Sequence, residues 1–170
     1  MAADIRPARA TDVDALSAIE NAVFASDRIS PRSFGRLIRS ASASVLVACS
    51  SDVVTGYLVL LFRAGSSRGR LYAIAVAPGQ AGTGLGRALL AAAEREAERH
   101  AAASLRLEVR AGNSRAIRLY ERNGYSEFGR LDSYYADGTA ALRFEKRLSP
   151  NAWPRPIPAG RMRHRGTAQT

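Results

Sequence analysis

Cysteine and histidine are nearly missing from this chain. Cys49 is the sole cysteine and His100 and His164 are the only histidines, so an intrachain disulfide cannot form and a Cys/His metal cluster has too few ligands. Cys49 sits in the apolar run Val45-Leu46-Val47-Ala48-Cys49 and reads as a small core residue in preference to a nucleophile. No apolar run approaches the roughly 20 residues that a membrane-spanning helix needs. The N-terminal Met1-Ala2-Ala3-Asp4-Ile5-Arg6 has no apolar core of the signal-peptide kind. The expectation is a soluble, cytoplasmic protein with no membrane partner and no resident metal. Internal repeats are absent too, and 170 residues suit one buried core.

Charge, by contrast, is in excess at +10. Part of it belongs to the end of the chain, where residues 150–165 hold Arg155, Arg161, Arg163 and Arg165 with no acid and no apolar period. Such composition predicts a disordered basic, Pro/Arg-rich tail over 149–170, behind a single domain over 1–148. Without those four arginines the body carries about +6, spread along the sequence with no aromatic and basic platform of the kind that binds single-stranded nucleic acid. A polyanionic cofactor or an acidic partner accounts for the charge, and nucleic acid is not expected as a partner.

What the chain does have is a glycine loop between a strand and a helix: Ile74-Ala75-Val76-Ala77-Pro78-Gly79-Gln80-Ala81-Gly82-Thr83-Gly84-Leu85-Gly86-Arg87. Glycines allow close approach of an anion to successive backbone N–H groups, and a helix start adds partial positive charge. The nucleoside-triphosphatase pattern G-x-x-x-x-G-K-[ST] fails, because Leu85-Gly86 stand where Lys and Ser/Thr belong. The dinucleotide pattern G-x-G-x-x-G fails at Arg87. G-x-G-x-G remains, which by itself fits a flexible turn as well as a phosphate cradle.

Periodicity predicts a short strand over Ile5–Ala8 and a helix capped by Thr11 with Asp14 as a capping-box variant. A second helix has Ser30 as N-cap and Pro31 at its first position. Strands over 45–49 and 55–62 form a hairpin across Ser50-Ser51-Asp52, and a strand over Leu71–Val76 enters the loop. A helix runs from Leu85 to about His100, and Leu105–Arg110 alternates as a strand. Asn113 caps a helix ended by Gly124, and two strands, about Tyr125–Tyr134 and Ala140–Leu148, close the chain through Asp137-Gly138. The fold class is α/β with a mixed sheet, in the order β-α-α-β-β-β-α-β-α-β-β.

This order, with the loop entering the third long helix, resembles the GCN5-related N-acetyltransferase (GNAT) family over residues 4–148. The segments Tyr72–Pro78, Gly84–Leu90, Leu107–Arg110 with Asn113, Ala116–Glu121, Asn123-Gly124-Tyr125 and Tyr134–Gly138 look like the bacterial ribosomal-protein alanine N-acetyltransferases. The resemblance implies a splayed central sheet with acetyl-CoA in the gap. Ile74, Ala75 and Val76 would pair with its pantetheine, and the backbone of Gly82, Thr83, Gly84, Leu85, Gly86 and Arg87 would hold its pyrophosphate. It also implies cofactor contact for Asn113, which equally suits a helix cap.

By the same resemblance Tyr120 is the general acid that protonates the departing thiolate. A phenol with a pKa near 10 keeps its proton at neutral pH. Ile117 and Tyr120 also share a helix face, which suits a core tyrosine. Glu108 resembles the general base, and strand alternation sets it with Arg106 and Arg110, leaving open a cleft carboxylate or an ion pair with those arginines. Tyr134 and Tyr135 match the wall that binds the acceptor.

Two departures stand out. Ala81 occupies the position where the family loop carries Gln or Arg, with Gln80 one residue too early, and Ser26-Asp27-Arg28-Ile29-Ser30 replaces a Pro-Trp-Ser type motif between the first two helices. The implied function is acetyl transfer from acetyl-CoA to the N-terminal α-amine of a protein or peptide. An α-amine with a pKa near 8 is roughly a tenth neutral at pH 7, whereas a lysine amine is almost wholly protonated. Acetylation of a small amine, or acyl-CoA sensing without catalysis, are the alternatives.

Overall fold

The sequence from Val45 to Cys49 is apolar at every position, and a strand through it must bury both faces. In the computed structural model, which describes residues 3–148, it does so. β2 (Ala43–Ser50) sends Leu46 and Ala48 into one core and Val45, Val47 and Cys49 into another. β3 (Val53–Phe62) repeats the division, with Leu58 and Leu60 on one side and Tyr57 and Val59 on the other. The two strands meet in a tight turn at Ser51 and Asp52, both with positive φ (50° and 64°), the backbone a two-residue hairpin needs.

Helices cover both faces. α1 (Val13–Val23) and α2 (Pro31–Arg39) bring Leu16, Ile19 and Phe34 to one side. α3 (Leu85–Arg99) and α4 (Ser114–Arg122) bring Leu89, Leu90, Ala93, Ala97 and Tyr120 to the other. Full burial of a leucine such as Leu89 stabilises by about 1.5–3 kcal/mol. Ser30 Oγ accepts the Ser33 N–H at 3.1 Å with Pro31 following, so α2 starts as its sequence signals. α1 does not: a 3-10 turn over Ala10–Asp12 precedes it, and Asp12 in place of Thr11 holds the start, accepting the Arg9 N–H at 2.7 Å and both Arg6 Nη atoms at 2.8 and 3.0 Å.

The remaining strands are β1 (Asp4–Pro7), β4 (Arg68–Val76), β5 (Ser104–Arg110), β6 (Ser126–Leu131) and β7 (Ala141–Arg147). The seven lie in one sheet in the order β1-β2-β3-β4-β5-β7-β6, antiparallel throughout except for β4 beside β5. That parallel pair needs a long crossover, which α3 supplies. The architecture is the mixed, open sheet with flanking helices that the sequence implies. Tyr134 corrects one boundary. β6 stops at Leu131, and Ser133 takes a left-handed φ of 51°, so Tyr134 lies with Tyr135 in a loop instead of ending a strand.

The pairing of β4 with β5 is brief. It runs from Arg68 opposite Ser104 to Leu71 opposite Leu107 and then stops. At that point β4 carries one residue more than β3: Val59 faces Ala73 and Leu60 faces Leu71, leaving Tyr72 as a bulge. A bulge bends its strand, and β4 beyond it pairs only with β3 while β5 beyond Leu107 pairs only with β7. The sheet thus opens as a wedge between Tyr72–Val76 and Glu108–Arg110. Among the described residues no helix is long and apolar enough to cross a membrane. The expected tail over 149–170 lies outside the described residues.

Candidate active site

A groove of about 2070 Å3 follows this wedge. One end is the glycine loop. Gly82 and Gly84 have φ of +79° and +83°, a region that costs other L-residues roughly 1–2 kcal/mol, and Gly84 is the N-cap of α3. Among the described residues the N–H groups of Gly82, Gly84, Leu85, Gly86 and Arg87 find no acceptor, as expected of a helix start. Gly86 serves differently: it is helical, and a Cβ there would lie 3.5 Å from Leu119 of α4, an ordinary contact that leaves room for a methyl. Thr83 turns away from the groove; its hydroxyl donates to the Gln80 carbonyl at 2.7 Å and its N–H to the same oxygen at 3.3 Å. The other predicted cradle residues, with Ile74, Ala75, Val76 and Asn113, line the groove. The Asn113 side chain is engaged as a cap, accepting the Ala116 N–H at 3.2 Å.

Midway lies Tyr120, which is 5% exposed. Its ring packs edge-on against Tyr125 at 5.8 Å and tilted against Phe144 at 6.3 Å, so the ring is core, and the residue also lines the groove. Burial pushes its phenol above the ordinary tyrosine value, because the charged form would lose water. The group keeps its proton well beyond neutral pH.

The far end is walled by Tyr134 and Tyr135, whose rings meet edge to face at 4.9 Å. Glu108 lines it, and its partners are not Arg106 and Arg110. Arg106 goes to Glu145 at 3.1 Å and Arg110 to Asp137 at 2.6 Å. Glu108 instead meets Arg70 Nε at 3.2 Å and Arg143 Nε at 3.7 Å. Arg143 stands directly opposite it on β7, and cross-strand neighbours are closer than residues two apart along one strand. Arg70 also donates to the Tyr134 hydroxyl at 2.9 Å.

Two further carboxyls face this end, unmarked in the sequence. Glu20 is 3% exposed; it accepts the Ile29 N–H at 2.9 Å and the Tyr57 hydroxyl, and burial raises its pKa. Asp27, in the segment replacing Pro-Trp-Ser, has φ of 54° and accepts the Ala136 N–H at 3.3 Å, joining the α1–α2 and β6–β7 loops.

Charge divides along the groove. At the loop end Arg87, Arg115, Arg118 and Arg122 line it with no carboxylate within 4.0 Å among the described residues. At the far end Arg70 and Arg110 are both paired. The loop end suits a polyanion, and the far end suits a neutral or cationic group. Arg115, Arg118 and Arg122 follow one face of α4 at i, i+3 and i+7, a spacing that is readable in the sequence once α4 is known to border the loop.

Comparison with known proteins agrees with this arrangement. The family model described as Acetyltransferase (GNAT) family matches residues 14–125. An N-alpha-acetyltransferase of Sulfurisphaera tokodaii is 34% identical over 148 residues, covering 81% of this chain and 88% of its own. The crystal structure of the ribosomal-protein-S18-alanine N-acetyltransferase from Escherichia coli superposes with a TM-score of 0.78 at 29% identity, over 87% of this chain and 95% of that one. The same fold recurs, at 22% identity and a TM-score of 0.76 over 91% and 98% of the two chains, in yncA, a putative acetyltransferase from Salmonella typhimurium with its cofactor acetyl-CoA.

Proposed function

Since the chain belongs to the acetyltransferase (GNAT) family and is an N-acetyltransferase, we propose that it transfers acetyl from acetyl-CoA to the N-terminal α-amine of a protein or peptide. The observation that carries this reading is the continuity of one groove from unbonded loop N–H groups, past the parting of β4 and β5, to the Tyr134-Tyr135 wall. The donor set fits the cofactor. Among the described residues, five free N–H groups and four unpaired arginines supply charge-assisted hydrogen bonds worth about 1.5–3 kcal/mol each before desolvation. The free edge of β4 over Ile74-Ala75-Val76 supplies backbone partners for an extended amide chain such as pantetheine.

When bound, acetyl-CoA supplies the activated acetyl thioester. Tyr120 holds a proton on its hydroxyl and gives it to the departing sulfur; burial keeps that proton in place across the working pH range. Glu108 takes the proton that the amine loses, directly or through one water, while Arg70 fixes its carboxylate beside Tyr134. The likeness to enzymes named for N-terminal acetylation supports the α-amine as acceptor, as does its neutral fraction near pH 7.

The experiment is mass spectrometry of labelled acetyl incorporation from acetyl-CoA into a panel of N-terminal peptides and free small amines. Acetyl on peptide α-amines is the expected result. Label confined to amino acids, polyamines or antibiotics would transfer the reading to a small-molecule enzyme, and tight acetyl-CoA binding without any product would leave a sensor.

A further inference from the structure

The glycine loop lacks a side-chain donor at Ala81, yet a guanidinium stands beside it from elsewhere in the chain. A Cβ built on Gly82 would lie 3.9 Å from Nη2 of Arg115, and no other heavy atom beyond the neighbouring residues comes within 4 Å. We propose that Arg115 of α4 replaces the missing side chain at position 81 and holds the pyrophosphate of acetyl-CoA against the loop; this rests on the function proposed above.

Three observations converge on it. Arg115 lines the groove, and among the described residues no carboxylate lies within 4.0 Å of it, so its charge is free to meet an anion. The backbone that carries it is set by two features: Asn113 caps α4 two residues earlier, and Leu119 of α4 lies over Gly86 at the start of α3. Among the described residues the neighbouring loop N–H groups of Gly82, Gly84 and Leu85 are unbonded, so an anion over Gly82 meets backbone donors from one side and a planar fork of N–H donors from the other. Arginine engages two phosphate oxygens at once, which a single amide side chain at 81 could not. Arg118 and Arg122 lie one and two turns farther along the helix, beyond this contact.

Calorimetry with CoA and with 3′-dephospho-CoA tests the assignment, using the full chain, Arg115→Gln, and Arg115→Gln combined with Ala81→Arg. Arg115 is exposed, so the variants fold, and a thermal melt checks this. The expected result is about a tenfold rise in Kd for Arg115→Gln, equal for the two ligands, with most of the affinity restored by Ala81→Arg. An unchanged Kd while the wild type binds tightly overturns this proposal alone. A loss seen with CoA and absent with 3′-dephospho-CoA also overturns it, because the arginine then reads the 3′-phosphate. Wild-type protein that binds neither ligand overturns both this proposal and the function on which it rests.

Discussion

Arg70 Nη2 donates to the hydroxyl of Tyr134 at 2.9 Å across 64 residues of sequence, while its Nε holds Glu108 at 3.2 Å. One guanidinium therefore couples the acceptor wall to the carboxylate proposed as base.

Removing that coupling has a defined signature. Arg70→Ala should raise the KM for the acceptor about tenfold, the scale of one charge-assisted hydrogen bond, and leave CoA affinity within about twofold. Arg70→Lys should fall between, since an ammonium keeps the charge and loses the fork. Steady-state kinetics with acceptor and acetyl-CoA varied separately decides it; an acceptor KM that does not move removes Arg70 from the site.

Tyr120→Phe keeps the ring packed against Tyr125 and Phe144 and deletes only the hydroxyl proposed as proton donor. We expect kcat to fall about 100-fold or more with the KM for acetyl-CoA nearly unchanged. Because burial raises this phenol above its ordinary value near 10, the wild-type pH profile should show no descending limb from Tyr120 below about pH 10. A kcat equal to wild type in a folded variant would exclude the acid role.

The loop glycines should respond unequally. Gly84→Ala forces a side chain into φ of +83° and should cost about 1–2 kcal/mol of stability, with weaker CoA binding as the loop shifts. Gly86→Ala meets only the Leu119 methyl at 3.5 Å, an ordinary contact on a helical residue, and should be stable to within about 0.5 kcal/mol or slightly improved. Thermal unfolding and calorimetry separate the two.

Asp12 ties β1 to α1 through Arg6 and the Arg9 N–H, and the hydrogen bond from Arg6 first of all holds its pKa below the ordinary carboxylate value. A depressed folded-state pKa gives stability that is complete above the unfolded value near 3.9 and lost as pH falls through the folded one. Asp12→Asn should therefore cost about 1–3 kcal/mol at pH 7, and the gap to wild type should begin to narrow below about pH 4 and close as pH falls through the lower folded-state pKa. A gap that persists in acid, by denaturant titration at each pH, would contradict this.

The order of elements is legible in the sequence because its punctuation is local. Ser30-Pro31, Asn113 and the left-handed glycines act within a turn of where they stand. What the sequence hides depends on distance. The partners of Glu108 come from β4 and β7, 38 and 35 positions away, and strand register decides them, while alternation along β5 only says which face Glu108 occupies. Thr11 gave way to Asp12 because Arg6, brought close by β1, rewards a carboxylate there. Tyr134 ends the strand expected from Tyr125, yet the left-handed Ser133 sends it out into a loop with Tyr135. Arg115 beside Gly82 depends on how α4 packs on α3, which no motif records.

β7 is the last of the described strands in sequence but an interior one in space, lying between β5 and β6. During synthesis, β5 and Glu108 therefore wait as an open edge until Ala141–Arg147 emerges and inserts. A chain cut short within that strand leaves two unpaired edges, which invite aggregation, and leaves Glu108 without Arg143. Assembly thus acts as a check on completeness: without Ala141–Arg147 the β5 side of the groove has no neighbouring strand.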